Sequence, residues 1–207
     1  MAFKLLKLNI DVKDDDINAI YPEKIRRLAR QHWTPVGVAK RAAEFLADRP
    51  GARVLDIGSG AGKFCLVGAT YTKGNFTGIE QRRRLVTLSK KLAGIYDIHN
   101  VNFIHRNITS INFSNYNAFY FYNSFYENIE QWNKIDDTVE LGTSLYHQYS
   151  MYIVEQFVTL PIGTRLVTYC SPTTIVPSTF RLLDTSQGGL LKFWEKVSDW
   201  NQPFVKN

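Results

Sequence analysis

The chain has 207 residues, a hydrophobic fraction of 44%, a net charge of +6 and a pI near 9.3. That is enough chain for one domain with a substantial core and short for two, and the apolar content argues against disorder. No stretch approaches the ~20 apolar residues of a membrane span.

Cys65 and Cys170 are too far apart for a disulfide framework or a metal spacing, which suits a reducing cytoplasm. His32, His99, His105 and His147 show no zinc-type pairing, so no metal is expected. Lysine and arginine are spread along the chain rather than massed in a tail. The charge is compatible with an anionic partner but does not by itself indicate nucleic acid.

In chain order, residues 1–13 alternate loosely and predict a strand or an arm. Their apolar run is too short for a signal peptide. Asp14-Asp15-Asp16 then breaks the pattern as a charged cap. Pro22 suits the first turn of a helix with Ile25, Leu28 and Ala29 on one stripe and Arg26, Arg27 and Arg30 elsewhere. Thr34 is the predicted N-cap and Pro35 the first residue of the next helix, which Val38, Ala42, Phe45 and Leu46 carry to Arg49-Pro50-Gly51.

Val54 to Ile57 reads as a short buried strand, followed by Gly58, Gly60 and Gly62 and a helix over 64–72. A glycine turn between strand and helix lets backbone approach a nucleotide-type cofactor where any Cβ would collide. A dinucleotide fingerprint would put its third glycine at 63, where Lys63 stands, so a nicotinamide or nucleotide enzyme is disfavoured. Asp56 at the strand end would repel a pyrophosphate and favour a cationic ligand.

Asn75 to Ile79 is the next strand. Glu80 ends it, placed either to accept ribose hydroxyls or to cap the following helix. That helix carries Leu85, Leu88, Leu92 and Ile95, and Arg82, Arg83 and Arg84 at its start read as a solvated face. Val101 to His105 is a third strand, followed by Asn107, a turn former, and Ile108.

Ala118 to Tyr122 is the fourth strand, central and beside the first, with Asn123 at its carboxyl end opposite the glycine turn. A long amphipathic helix is predicted over 139–160, then a strand over 165–170. Phe180 to Leu183 and Leu190 to Trp194 flank Gly188-Gly189 as an antiparallel hairpin.

Asp56-Ile57-Gly58-Ser59-Gly60-Ala61-Gly62 resembles motif I of the class I S-adenosylmethionine-dependent methyltransferases. The resemblance implies an α/β fold, a doubly wound, mostly parallel seven-stranded sheet with helices on both faces and an antiparallel C-terminal hairpin. It implies one domain over 1–207, with 1–50 a helical segment packed on a Rossmann-like core at 51–207. S-adenosylmethionine would then be held by Asp56, Gly58, Ser59, Gly60, Gly62, Glu80 and Gln81. Glu80 would take the ribose, Asn107 the adenine amino group, and Ile108 the purine face.

His32-Trp33-Thr34-Pro35 resembles motif X of amino-methyltransferases acting on adenine in DNA, which implies that Thr34 contacts the methionine part of the cofactor. Asn123-Ser124-Phe125 stands where such enzymes carry Asn-Pro-Pro-aromatic. It is closer to the Asn-Asn-Phe of the non-SET histone-lysine methyltransferases. That similarity implies Asn123 and Tyr122 as catalytic residues, Phe125 and Tyr126 as the substrate channel, and an acceptor nitrogen, with protein favoured. An aromatic channel agrees, since it desolvates an amine and accepts its methylated cation. A small-molecule acceptor, or a cofactor-binding regulator without turnover, is the alternative left by the missing prolines.

Overall fold

Short apolar runs separated by helices can bury both faces only by pairing in parallel with helices packed above and below. The computed structural model describes residues 2–130, 132 and 134–199; the side chains of Arg30 and Gln31, and with them the expected face for Arg30, lie outside the described set. Among the described residues β1 (Arg53–Ile57), β2 (Asn75–Glu80), β3 (Val101–His105), β4 (Ala118–Phe121) and β5 (Arg165–Tyr169) run parallel. β6 (Phe180–Ser186) and β7 (Leu191–Lys196) form a hairpin closed by Gln187, Gly188 and Gly189, all at positive φ. β7 inserts antiparallel between β5 and β6, giving one seven-stranded sheet in the order β3-β2-β1-β4-β5-β7-β6. This is the expected fold class.

The sheet order reverses at β1, whose neighbours are β2 and β4. Ile57 pairs with Ile79 on one side and Phe121 on the other, so three strand tips end level around one crevice. Ligands in open α/β sheets bind at such a reversal, outside the carboxyl ends of the strands.

The two faces are covered differently. One carries α5 (Val36–Leu46), α6 (Lys63–Tyr71) and α7 (Arg83–Ile95) over a cluster that includes Val54, Phe76, Phe103, Tyr120 and Val167. Phe64 stacks on Tyr120 there at 3.8 Å. The other carries α8 (Thr143–Thr159), which buries Tyr149, Ile153 and Phe157 at i, i+4 spacing onto Leu55, Phe119 and Phe121. Each such buried side chain contributes roughly 1.5–3 kcal/mol. Alternate residues of β4 go to opposite faces, which is why Ala118 to Phe121 is an unbroken apolar run.

Three local expectations need correction, and a fourth, the charged cap at Asp14 to Asp16, holds. Residues 2–7 form a helix, α1 (Ala2–Lys7), because Phe3 and Leu6 bury one helical stripe that the loose alternation concealed. Asp14 to Asp16 are the first turn of α2 (Asp14–Asn18), where carboxylates suit the positive end of the helix. The predicted helix after Pro22 is two single turns, α3 (Glu23–Arg26) and α4 (Ala29–His32). α8 starts at Thr143 rather than Val139, where the Gly142 N–H is held by Asn128 Oδ1 at 3.2 Å. No described helix is long and apolar enough to cross a membrane.

Candidate active site

The turn after β1 is built from backbone that only glycine takes without strain. Gly58, Gly60 and Gly62 have φ of +76°, +53° and +79°. A Cβ at Gly58 would lie 2.4 Å from Ser124 Cβ, and one at Gly62 would lie 2.6 Å from the Phe103 ring. Gly60 faces open space, and its N–H donates to Glu80 Oε2 at 3.1 Å.

Glu80 also accepts the Arg82 N–H on Oε1 at 2.8 Å. It therefore ties the glycine turn to the tip of β2 and braces the approach to α7 at once. Burial raises its pKa, opposed by the Arg82 amide and guanidinium and by the Gly60 amide.

Arg82 is not the surface residue expected. It is 3% exposed, with its guanidinium 3.1 Å from Glu127 and 3.0 Å from Asp136. Burial alone would raise Asp136; hydrogen bonds from Thr138 and the Arg82 charge outweigh it and hold the carboxyl at about 2. The loop after β4 is thus anchored on the β2 tip by an ion-pair network. Arg83 and Arg84 are exposed, as read from sequence.

Asp56 lies in the central strand at 4% exposure, where Cys65 Sγ donates to Oδ2 at 3.4 Å. Burial pushes its carboxyl up to about 7; the Cys65 bond acts the other way and the Glu80 charge adds to the rise. The shift favours the protonated form, so the group carries less charge than a free carboxylate at a strand tip. A cation brought beside it draws the proton off.

Across the crevice, Asn123 holds a left-handed φ of +40°. Its N–H donates to Ser171 Oγ at 2.9 Å, and Ser171 is itself held 2.7 Å from the Tyr169 carbonyl. Ser124 donates to the Ile57 carbonyl, stitching this loop onto the end of β1. β4 stops at Phe121, so Tyr122 is already in the loop, packed on Tyr169 at 4.8 Å. Burial pushes its phenol up to about 12, which keeps it neutral. Phe125 is only 6% exposed and sits between Phe121 and Tyr149 at 5.2 and 5.4 Å. It is core as much as channel wall, whereas Tyr126 is 48% exposed on the rim.

These tips enclose a cavity of about 310 Å³, a size usual for a ligand site. Gly58, Gly60, Glu80, Gln81, Asn107 and Ile108 line one side, and Tyr122, Asn123, Phe125 and Tyr126 the other. Thr34, Asp56 and Ser59 instead line an adjoining recess of about 40 Å³, which Gly58 and Tyr122 also border. Gly62 lines neither; it lets α6 pack on Phe103.

Thr34 is not an N-cap: Pro35 precedes the first turn of α5, and the Thr34 hydroxyl pairs with the Tyr120 hydroxyl at 2.9 Å. Asn107 does the turn former's work. Its Oδ1 accepts the Thr109 N–H and hydroxyl, both at 3.0 Å, and its Nδ2 donates to the Tyr149 hydroxyl at 2.9 Å. Sequence reasoning missed the buried role of Arg82 and the supports from Ser171 and Ser124.

The residues present fit an adenosyl sulfonium donor. Bare glycine backbone faces the cavity, two acids flank the turn, and the buried Ser59 hydroxyl has no hydrogen-bond partner among the described residues.

Residues 48–136 match the family model described as a methyltransferase domain. No curated protein matches the sequence. Among solved structures, an RNA methyltransferase from Salinibacter ruber in complex with S-adenosyl-L-homocysteine is 22% identical with a TM-score of 0.55, covering 84% of this chain and 99% of that one. TrmN from Thermus thermophilus is 19% identical with a TM-score of 0.56, covering 83% and 51%. An S-adenosylmethionine-dependent O-methyltransferase from Thermotoga maritima is 17% identical with a TM-score of 0.54, covering 87% and 74%. At these identities the likeness gives the fold. The matched segment, somewhat under half of the chain, holds the glycine turn, Glu80 and Asn123, and over that stretch the chain is similar to a methyltransferase domain.

Proposed function

We propose that the chain transfers a methyl group from S-adenosylmethionine to a nitrogen on a macromolecule, and that the macromolecule is RNA. The carrying observation is Asn123. It stands at the β4 tip across from Gly58, its backbone is fixed by Ser171, and its carboxamide makes no hydrogen bond among the described residues. A half-buried polar group with its backbone held and its carboxamide unengaged by other side chains is placed to orient an acceptor N–H.

The donor supplies an activated methyl group; the protein supplies position and a dry approach. Glu80 offers the ribose a carboxylate already aligned by two backbone amides. Tyr122 and Phe125 exclude water beside Asn123, and a desolvated amine keeps its lone pair free.

RNA is favoured over protein by the rim. Arg106, just after β3, is exposed at the cavity mouth and makes no ion pair among the described residues; Arg83, the first residue of α7, is also exposed. Half-exposed Tyr126 faces the same opening, and cationic side chains with an aromatic platform suit an unpaired base. Cys65 and Cys170 are free thiols, which supports a reducing cytoplasm as the location.

The test is to incubate RNA, protein and small-metabolite fractions of a lysate with methyl-labelled donor and purified protein. Label in RNA is expected. Label confined to protein or a metabolite overturns the acceptor. Donor binding without any labelled product overturns turnover and leaves a cofactor-binding regulator.

A further inference from the structure

Lys63 breaks two rules at once. It is the first residue of α6, where the positive end of the helix disfavours a cation, and its side chain is 4% exposed. Burial lowers its pKa, with Asp14 opposing that shift. The turn itself needs no cation, since Gly62 at φ +79° already sets the helix start. Lys63 pairs with Asp14, whose side chain is 45% exposed, and its ammonium lies 5.8 Å from the Trp33 ring. A buried ammonium whose carboxylate partner stands half in water is poised for another partner.

The 40 Å³ recess beside Gly58 is lined by both Lys63 and Asp56, with the rings of Trp33, Phe64 and Tyr120 and the Thr34 side chain around them. It has room for the few heavy atoms of an amino-acid head and none for a purine. One wall is cationic, the other acidic.

Resting on the donor reading above, we propose that Lys63 is the counter-ion of the donor's α-carboxylate and that Asp14 occupies its place until the donor arrives. The α-ammonium of the same head then faces Asp56. Asp14 keeps its second bond, from the Val36 N–H at 3.0 Å, so α2 stays docked when Lys63 changes partner. The N-terminal segment, which supplies Leu28, His32 and Trp33 to the main cavity wall, is coupled in this way to donor occupancy.

The test is calorimetric titration with two probes, S-adenosylhomocysteine and 5′-methylthioadenosine, which lacks the amino-acid head. Lys63→Met is expected to weaken S-adenosylhomocysteine roughly 30-fold, the scale of one charge-assisted contact, and to leave methylthioadenosine within about twofold. Lys63→Arg should restore most of the loss. Asp14→Asn, which removes the competitor, should bind S-adenosylhomocysteine at least as well as the parent. Unchanged S-adenosylhomocysteine affinity in Lys63→Met, or an equal loss of both probes, overturns the proposal. So does an Asp14→Asn loss as large as that of Lys63→Met, which would make the pair a structural brace. If the parent protein binds neither probe, the donor reading itself fails, a separate result.

Discussion

The two sides of the crevice are built by different means. The glycine turn and Glu80 are fixed by neighbours in the chain and by one adjacent strand: positive φ at Gly58, Gly60 and Gly62, and a carboxylate holding the Gly60 amide. The Asn123 side is fixed from far away, by Ser171 of the loop after β5 and by Ser124 reaching back to Ile57. The glycine turn of the proposed donor side is therefore largely a local property of the chain, and the proposed acceptor side a tertiary one. Damage to the first should abolish binding; damage to the second should spare binding and slow turnover.

Gly58→Val breaks the first side most completely. Its Cβ would meet Ser124 at 2.4 Å in a backbone conformation foreign to a β-branched residue. Donor affinity should fall more than about 100-fold, and stability by roughly 3 kcal/mol, read by calorimetry and thermal unfolding.

Asn123→Ala probes the other side. Turnover should drop by about 100-fold while donor affinity stays within about twofold, because only the acceptor loses a partner. A parallel loss of donor affinity would erase the contrast between the two sides.

Asp56 gives the smallest and most graded effect. Its folded pKa of about 7 lies above the ordinary 3.8, so the folded protein holds a proton through that window. Two signs follow. Stability falls as pH rises from about 4 to 7, since the buried carboxyl must ionise, and is flat above. A cationic donor requires the ionised form, so affinity should weaken up to about tenfold per unit as pH drops below 7. Cys65 and Glu80 act on Asp56, and the buried Tyr120 phenol is coupled to it as well. Asp56→Asn should remove both slopes, which urea unfolding and calorimetry between pH 5 and 8 would read.

The same division explains what was legible in the sequence. Val54 to Gly62 and Glu80 obey local rules, a buried strand, a glycine turn and an acid at the next strand tip, and the strand order then placed Asn123 opposite them. What escaped depends on partners remote in the chain. Thr34 reads as a cap but pairs with Tyr120, 86 residues on. Arg82 reads as surface because Glu127 and Asp136, which bury its charge, come 45 and 54 residues later. Asn107 reads equally well as a ligand or a turn former, and only the Tyr149 and Thr109 contacts show its carboxamide in use for the turn. The first helix was missed because six residues hold too few turns for periodicity to show.

The most direct measurement is a crystal structure of the protein soaked with S-adenosylhomocysteine. The expected density runs along the glycine turn, with the ribose on Glu80, the purine against Ile108 and the amino-acid head in the recess of Asp56 and Lys63. Ligand bound elsewhere on the molecule, or a cavity still empty at saturating ligand, would contradict the account.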